Sequence, residues 1–235
     1  MESCWTLLAF DADDTLWECQ DFYEQAEREY AKILAPYGSA EDVSASLFAV
    51  ETANMPLTGY GAKAFTISLV ENAVEMSHGN IAAHDIMDIV QIGKKLINLP
   101  GEPLVGVRQT LQRIRATGRY GMVVFTKGEI LDQEHKFVRS GLATLFDDLV
   151  VVSDKTPESY EKLCRQHGCD ISRLLMVGNS FKSDISPVLQ LGGWGAYIPH
   201  NMWQHEHAEE YAHPKLIQLE NFCQLENILL GNCKT

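Results

Sequence analysis

The sequence predicts an α/β protein whose core is a doubly wound, Rossmann-like parallel sheet, with an α-helical cap domain inserted into it. Three observations lead there. Short, mainly apolar runs alternate with helical patterns through the second half of the chain. Each of those helical patterns closes on a glycine, as a helix C-terminus does. The long stretch between the first apolar run and Pro100 carries helical periodicity alone.

The strands in order are "WTLLAF" (5–10), "YGMVVF" (120–125), "LVVVS" (149–153), "RLLMVG" (173–178) and "WGAYIP" (194–199). They lack polar alternation, which is how strands covered on both faces read. "PLVGVRQTLQRIRATG", "EILDQEHKFVRSG", "PESYEKLCRQHG" and "SDISPVLQLGG" precede the second to fifth strands as crossover helices. Parallel neighbours joined this way wind right-handed. "KLIQLE" is a possible sixth strand leading into a last helix from Asn221.

Four helical patterns fill the insert: "DFYEQAEREYAKILAPYG", "AEDVSASLFAVETAN", "GYGAKAFTISLVENAVEMS" and "AAHDIMDIVQIGKKLIN". A βα loop of that length is unusual, so the stretch reads as a domain of its own. The expected division is a core of 1–16 plus 100–235 and a cap of 17–99, with "LWECQ" and "NLPGEP" as the hinges.

Composition narrows the partners. At 46% hydrophobic the 235 residues can bury a real core. With 19 Lys+Arg against 32 Asp+Glu, a formal charge of −13, and no basic run, nucleic acid is not an expected partner. The six cysteines form no CxxC pair and read as reduced cytoplasmic thiols. The N-terminal apolar run has no basic flank and stops at Asp11, and no stretch approaches the roughly 18 apolar residues of a membrane span, so neither a leader nor a membrane partner is expected. Oligomeric state is left open.

In an open α/β sheet, ligands bind beyond the carboxyl ends of the strands, and there the chain places groups suited to phosphate. "FDADDTLW" puts Asp11 at the mouth of the first strand, where its carboxylate can attack phosphorus. Asp13 would face the same side if the chain stayed extended, placing it to protonate the leaving oxygen and later to activate water. Asp14 would point elsewhere and serve the turn. So many carboxylates call for a cation, and Mg²⁺ meets the need, with Asp11, Asp13, Asp184 and Asn179 as candidate ligands. Thr126 can hydrogen-bond a phosphoryl oxygen, and Lys155 can neutralise nucleophile and phosphate. Plainer roles compete: Thr126, Ser180 and Asp184 could cap helices, and Lys155 could be a surface lysine.

These residues carry a resemblance. "FDADDTLW" resembles the first motif (DxDxT) of the haloacid dehalogenase superfamily, "VVFTKG" the second, Lys155 in "VSDKTPESY" the third and "VGNSFKSDI" the fourth, in the family's order. The insert falls where such enzymes place a helical cap. The resemblance implies a Mg²⁺-dependent phosphohydrolase with Asp11 as nucleophile and Asp13 as general acid/base, acting on a small phosphorylated metabolite. Two departures stand out. The fourth motif usually begins Gly-Asp, whereas here Gly178 is followed by Asn179, an amide that can bind Mg²⁺ or orient its water but adds no charge. In the third, Thr156 separates Lys155 from Pro157.

Candidate substrate contacts are Lys127 after the second strand and, in "GYGAKAF", Tyr60 and Lys63, with Tyr60 equally able to pack in the cap's core. His200, His205 and His207 lack the spacing of a metal-binding helix and read as a solvated loop. A 2-haloacid dehalogenase would need neither Mg²⁺ nor Asp13, and a silent binding module would need none of the five charged and hydroxyl groups retained here. Phosphate-ester hydrolysis is the reading that uses them all.

Overall fold

The computed structural model describes residues 5–200, 203–206 and 208–231. It divides into two compact units. One comprises Met1–Gln20, Gly101–Lys127 and Gln133–Thr235, the other Asp21–Pro100 and Gly128–Asp132.

The first unit holds six parallel strands, β1 (Leu7–Phe10), β2 (Gly121–Lys127), β3 (Asp148–Val152), β4 (Leu174–Gly178), β5 (Trp194–Tyr197) and β6 (Leu216–Gln218). Their order is β3-β2-β1-β4-β5-β6, so the chain moves outward from β1 in one direction and then in the other, which is the doubly wound arrangement. The apolar runs are continuous because each face has its own cover. Leu8, Phe10, Met122, Val124, Leu175 and Val177 share one buried cluster with residues 107, 111, 114, 225 and 229, while Leu7, Ala9, Val123, Phe125, Leu174 and Met176 share another with residues 160, 163, 188 and 189.

In the second unit, α1 (Gln20–Ile33), α2 (Ala40–Thr58), α3 (Ala62–Met76) and α4 (Ala83–Ile97) pack around Tyr30, Leu34, Leu47, Phe65, Leu69, Ile89 and Ile92. Ser39 and Asp42 form a reciprocal capping box at the start of α2. Gly93 lets α3 and α4 meet closely, since a Cβ there would lie 1.9 Å from the Thr66 hydroxyl. The Tyr30 hydroxyl donates to the Leu69 carbonyl at 2.9 Å and accepts from Asn72 at 2.8 Å, so the buried polar groups of this core are paired. The unit also takes in Gly128–Asp132, which sequence patterning assigns to the core, and Glu129 of that segment pairs with Lys63 at 3.1 Å.

The crossover helices are α5 (Val107–Ala116), α6 (Ile130–Arg139), α7 (Pro157–Gln166) and α8 (Ser186–Gln190), and α9 (Leu225–Leu229) follows β6. After α7, Gly168 turns left-handed at φ 59°, and Cys169 returns its N–H to the Cys164 carbonyl at 3.0 Å. Among the described residues, no helix is long and apolar enough to cross a membrane.

Candidate active site

β1 delivers Asp11 to the carboxyl end of the sheet, where its N–H donates to the Val177 carbonyl at 2.9 Å and so continues the pairing with β4. The chain then coils. The Ala12 carbonyl accepts from the N–H groups of Thr15, Leu16 and Trp17, and Asp14 adopts φ 61°. The Asp14 carboxylate accepts from the N–H groups of Cys19 and Gln20, each at 2.9 Å, which makes it the fastener of this turn.

Lys155 is brought in after β3, almost wholly buried, with its ammonium against Asp11 and 2.6 Å from Asp184. Thr156, the extra residue before Pro157, accepts from the Ser159 N–H as the N-cap of α7. The insertion therefore starts the helix and leaves the lysine directed at the two carboxylates. Asp184 lies on the turn Phe181–Ile185 and takes the Ser180 N–H at 2.9 Å, while the Ser180 hydroxyl takes the Ser183 N–H at 3.0 Å. Gly178 admits Asp184 to this position, because an added Cβ would lie 2.2 Å from a carboxylate oxygen. Asn179 exchanges hydrogen bonds with Thr15, its Oδ1 accepting from the hydroxyl and its N–H donating back, both at 3.1 Å. Thr126 is buried two residues past the Phe10–Val124 pair, at the mouth of β2.

Asp13 lies in the coil closed by the Ala12 carbonyl, past the end of β1 at Phe10, so its carboxylate is oriented by its own partners and not by the strand pleat. Lys136 of α6 lies 2.8 Å from both carboxylate oxygens, Gln133 donates at 2.9 Å and the Trp17 indole at 2.8 Å. Its carboxylate is held by these three partners, and its charge is among those that raise the Asp11 carboxyl. Lys127, a candidate substrate contact, has partners within its own unit. Its ammonium is drawn inward onto buried Glu206 and donates to the Ser183 hydroxyl at 3.0 Å. Tyr60 and Lys63 belong to the helical unit, Lys63 on the first turn of α3 and Tyr60 half-buried just before it.

The electrostatics follow from burial. Burial is the largest influence on Asp11 and raises its carboxyl, with the charge of Asp184 adding and Lys155 opposing. Lys155 is pulled down by the same burial, but its two carboxylate partners more than compensate and hold it charged. Burial also pushes Asp13 up. The Lys136 charge outweighs it, aided by hydrogen bonds from Lys136, Gln133 and Trp17, and the net direction is down.

Two buried carboxylates thus share one ammonium, and the candidate metal ligands all offer oxygen donors. An oxygen-only, anion-rich set of this kind fits Mg²⁺. A separate grouping, Asp14, Glu18 and His200, brings ligand-type atoms within 4.8 Å of one another. The His205 ring lies tilted against Trp203, centroids 4.3 Å apart and planes at 59°, and His207 lies outside the described residues.

Sequence reasoning missed Lys136, Gln133 and Glu206. The available signal lay in α6, where Gln133 and Lys136 are buried while Ile130, Leu131 and Val138 face solvent. A helix that hides its polar residues and exposes its apolar ones is serving something other than the core.

A doubly wound sheet presenting a buried acid–lysine–acid cluster beyond its central strands has the build of an α/β hydrolytic enzyme. The family model of the haloacid dehalogenase-like hydrolases matches residues 5–192, and the chain belongs to that family. A haloacid dehalogenase-like family hydrolase from Xanthomonas campestris is 37% identical with a TM-score of 0.83, the match covering 94% of this chain and 88% of that one. Two more distant structures share the fold. The magnesium-bound HAD-hydrolase YfnB from Bacillus subtilis matches at 17% identity and a TM-score of 0.69, over 96% of this chain and 99% of that one. L-2-haloacid dehalogenase from Xanthobacter autotrophicus, with chloropropionic acid covalently bound, matches at 15% and 0.66, over 97% and 99%. No curated protein matches the chain.

Proposed function

We propose that this hydrolase is a Mg²⁺-dependent phosphatase that cleaves a small phosphorylated metabolite through an aspartyl-phosphate on Asp11. The observation that carries the reading is the charge imbalance at the sheet mouth. Asp11 and Asp184 are both buried and share Lys155. Displacement of halide from carbon needs no further cation, whereas transfer of an anionic phosphoryl group does.

In this reading an Asp11 oxygen attacks phosphorus and the bond to the ester oxygen breaks, with Asp13, which must enter this step in its protonated form, giving that oxygen its proton. Water then attacks the acyl phosphate, Asp13 takes the water's proton, and inorganic phosphate leaves as the Asp11 carboxylate is restored. Lys155 and the Thr126 hydroxyl hold phosphoryl oxygens during both transfers. Asp11 and Asp184 would hold Mg²⁺, with Asn179 as direct ligand or as orienter of a bound water, and the ion would supply the missing positive charge. Substrate choice is assigned to the helical unit, with Tyr60 and Lys63 as candidate contacts.

The test is phosphate release from a panel of phosphorylated sugars, nucleotides and acids, with EDTA and with Mg²⁺, alongside halide release from 2-haloacids. Activity should vanish with EDTA, return with Mg²⁺, and fall far below one tenth in Asp11→Asn. Retention above one tenth, roughly 1.4 kcal/mol of barrier, would sink the nucleophile assignment. Metal-independent halide release without phosphate release would establish the dehalogenase instead.

A further inference from the structure

We infer that Lys136 is a positioning residue for proton transfer, a buried ammonium on α6 that fixes the direction of the Asp13 carboxylate. The inference rests on the phosphatase reading above and adds to it a residue outside the four motifs.

The case begins with the backbone. A side chain on a strand is aimed by the pleat, but Asp13 lies past the end of β1, in the coil closed by the Ala12 carbonyl. Its direction must therefore be set by what its carboxylate touches, and those partners converge from two elements. Trp17, four residues on, donates to Oδ1 at 2.8 Å from within the same coil. Gln133 and Lys136, three apart and hence on one face of α6, supply the rest at 2.9 Å and at 2.8 Å to each oxygen. Gln133 also donates to the Lys127 carbonyl at 3.1 Å, tying this face of the helix to the end of β2.

Lys136 is costly where it sits. It is 2% exposed, and a lysine rarely reaches that burial without a carboxylate beside it. The backbone holds it there from the other side. Gly101, left-handed at φ 65°, passes so near that an added Cβ would lie 2.6 Å from the Lys136 carbonyl oxygen. The Asp13 side chain remains 29% exposed, so the carboxylate is aimed by buried donors while one side of it stays open. That combination suits a group that must hand a proton to a molecule arriving from solvent. An ion pair serving only to close the turn would have no need of the open side, and Asp14 already closes the turn.

The experiment compares the single-turnover rate of alcohol release from an alkyl phosphate, whose leaving oxygen needs a proton, with that of 4-nitrophenol release from 4-nitrophenyl phosphate, whose leaving group departs without one, so that hydrolysis of the acyl phosphate, which also uses Asp13, does not enter. In Lys136→Met the loss should be about tenfold or more on the alkyl ester and under about threefold on the aryl ester, the selectivity expected of Asp13→Ala. The double variant Asp13→Ala/Lys136→Met should be no slower than Asp13→Ala, because both changes remove one function. Lys136→Arg, which keeps the charge, should recover part of the alkyl-ester rate, and Gln133→Met should show the same selectivity more weakly if Lys136→Met does not fold. Equal losses on the two esters, or multiplying losses in the double variant, would overturn the assignment while leaving the phosphatase reading intact. An inactive wild-type protein would refute the phosphatase reading and this assignment with it.

Discussion

The buried charge of Glu206 gives the most quantitative expectation. Its carboxylate meets the Lys127 ammonium and accepts from the Ser180 hydroxyl at 2.6 Å and from the Ser183 hydroxyl. Burial alone would raise the carboxyl. The Lys127 charge and the three hydrogen bonds outweigh it and bring the group from 4.5 down to about 2. At roughly 1.4 kcal/mol per pKa unit, that difference is worth about 3 kcal/mol of stability at neutral pH. The sign follows from the depressed folded value: the contribution is complete above the ordinary value near 4.5 and drains away as pH falls toward 2. Urea unfolding of wild type and Glu206→Gln, from pH 7 to about pH 3, isolates it, since all other carboxylates titrate alike in both proteins. The wild type should lead by about 3 kcal/mol at pH 7, and the lead should fall by more than half by about pH 3. Ser180 also donates its N–H to Asp184, so the variant should need more Mg²⁺ for half-maximal activity. A stability gap that does not change with pH would refute the electrostatic account.

Two substitutions probe the oxygen cluster directly. Gly178→Ala would place a Cβ 2.2 Å from an Asp184 oxygen, so it should displace that carboxylate and raise the Mg²⁺ concentration for half activation by about tenfold, an overpacking cost within the usual 1–3 kcal/mol. An unchanged Mg²⁺ titration would mean Asp184 does not hold the metal. Asn179→Asp keeps the acceptor that Thr15 uses and adds a charge, so the same titration should shift to lower Mg²⁺, and no shift would leave Asn179 with only its structural bond to Thr15.

What could be read beforehand, and what could not, divides along one physical line. The strands were legible because a strand covered on both faces is an uninterrupted apolar run. Asp11, Lys155 and Asp184 were legible because each follows such a run and the sheet gathers strand ends. Asp13 was legible as a residue but not as a direction, since the period of two that orients side chains ended with β1 at Phe10. Two of its three partners lie about 120 positions away on a helix, as the separations of 120 and 123 residues to Gln133 and Lys136 show. A Gln and a Lys three apart ordinarily mark a solvated helix face, so the spacing was visible and its meaning inverted. Glu206 was hidden differently, in a histidine-rich segment whose composition reads as loop, although its carboxylate is buried against the turn that carries Asp184. In both places the candidate site residue is announced by its strand, while the residue that holds it is an ordinary charge made meaningful only by burial. A carboxylate cannot be aimed by the sheet once the strand has ended. It must be aimed by another charge, and a distant charge of common type leaves its trace only in the exposed apolar residues that it displaces, as Ile130, Leu131 and Val138 are displaced on α6.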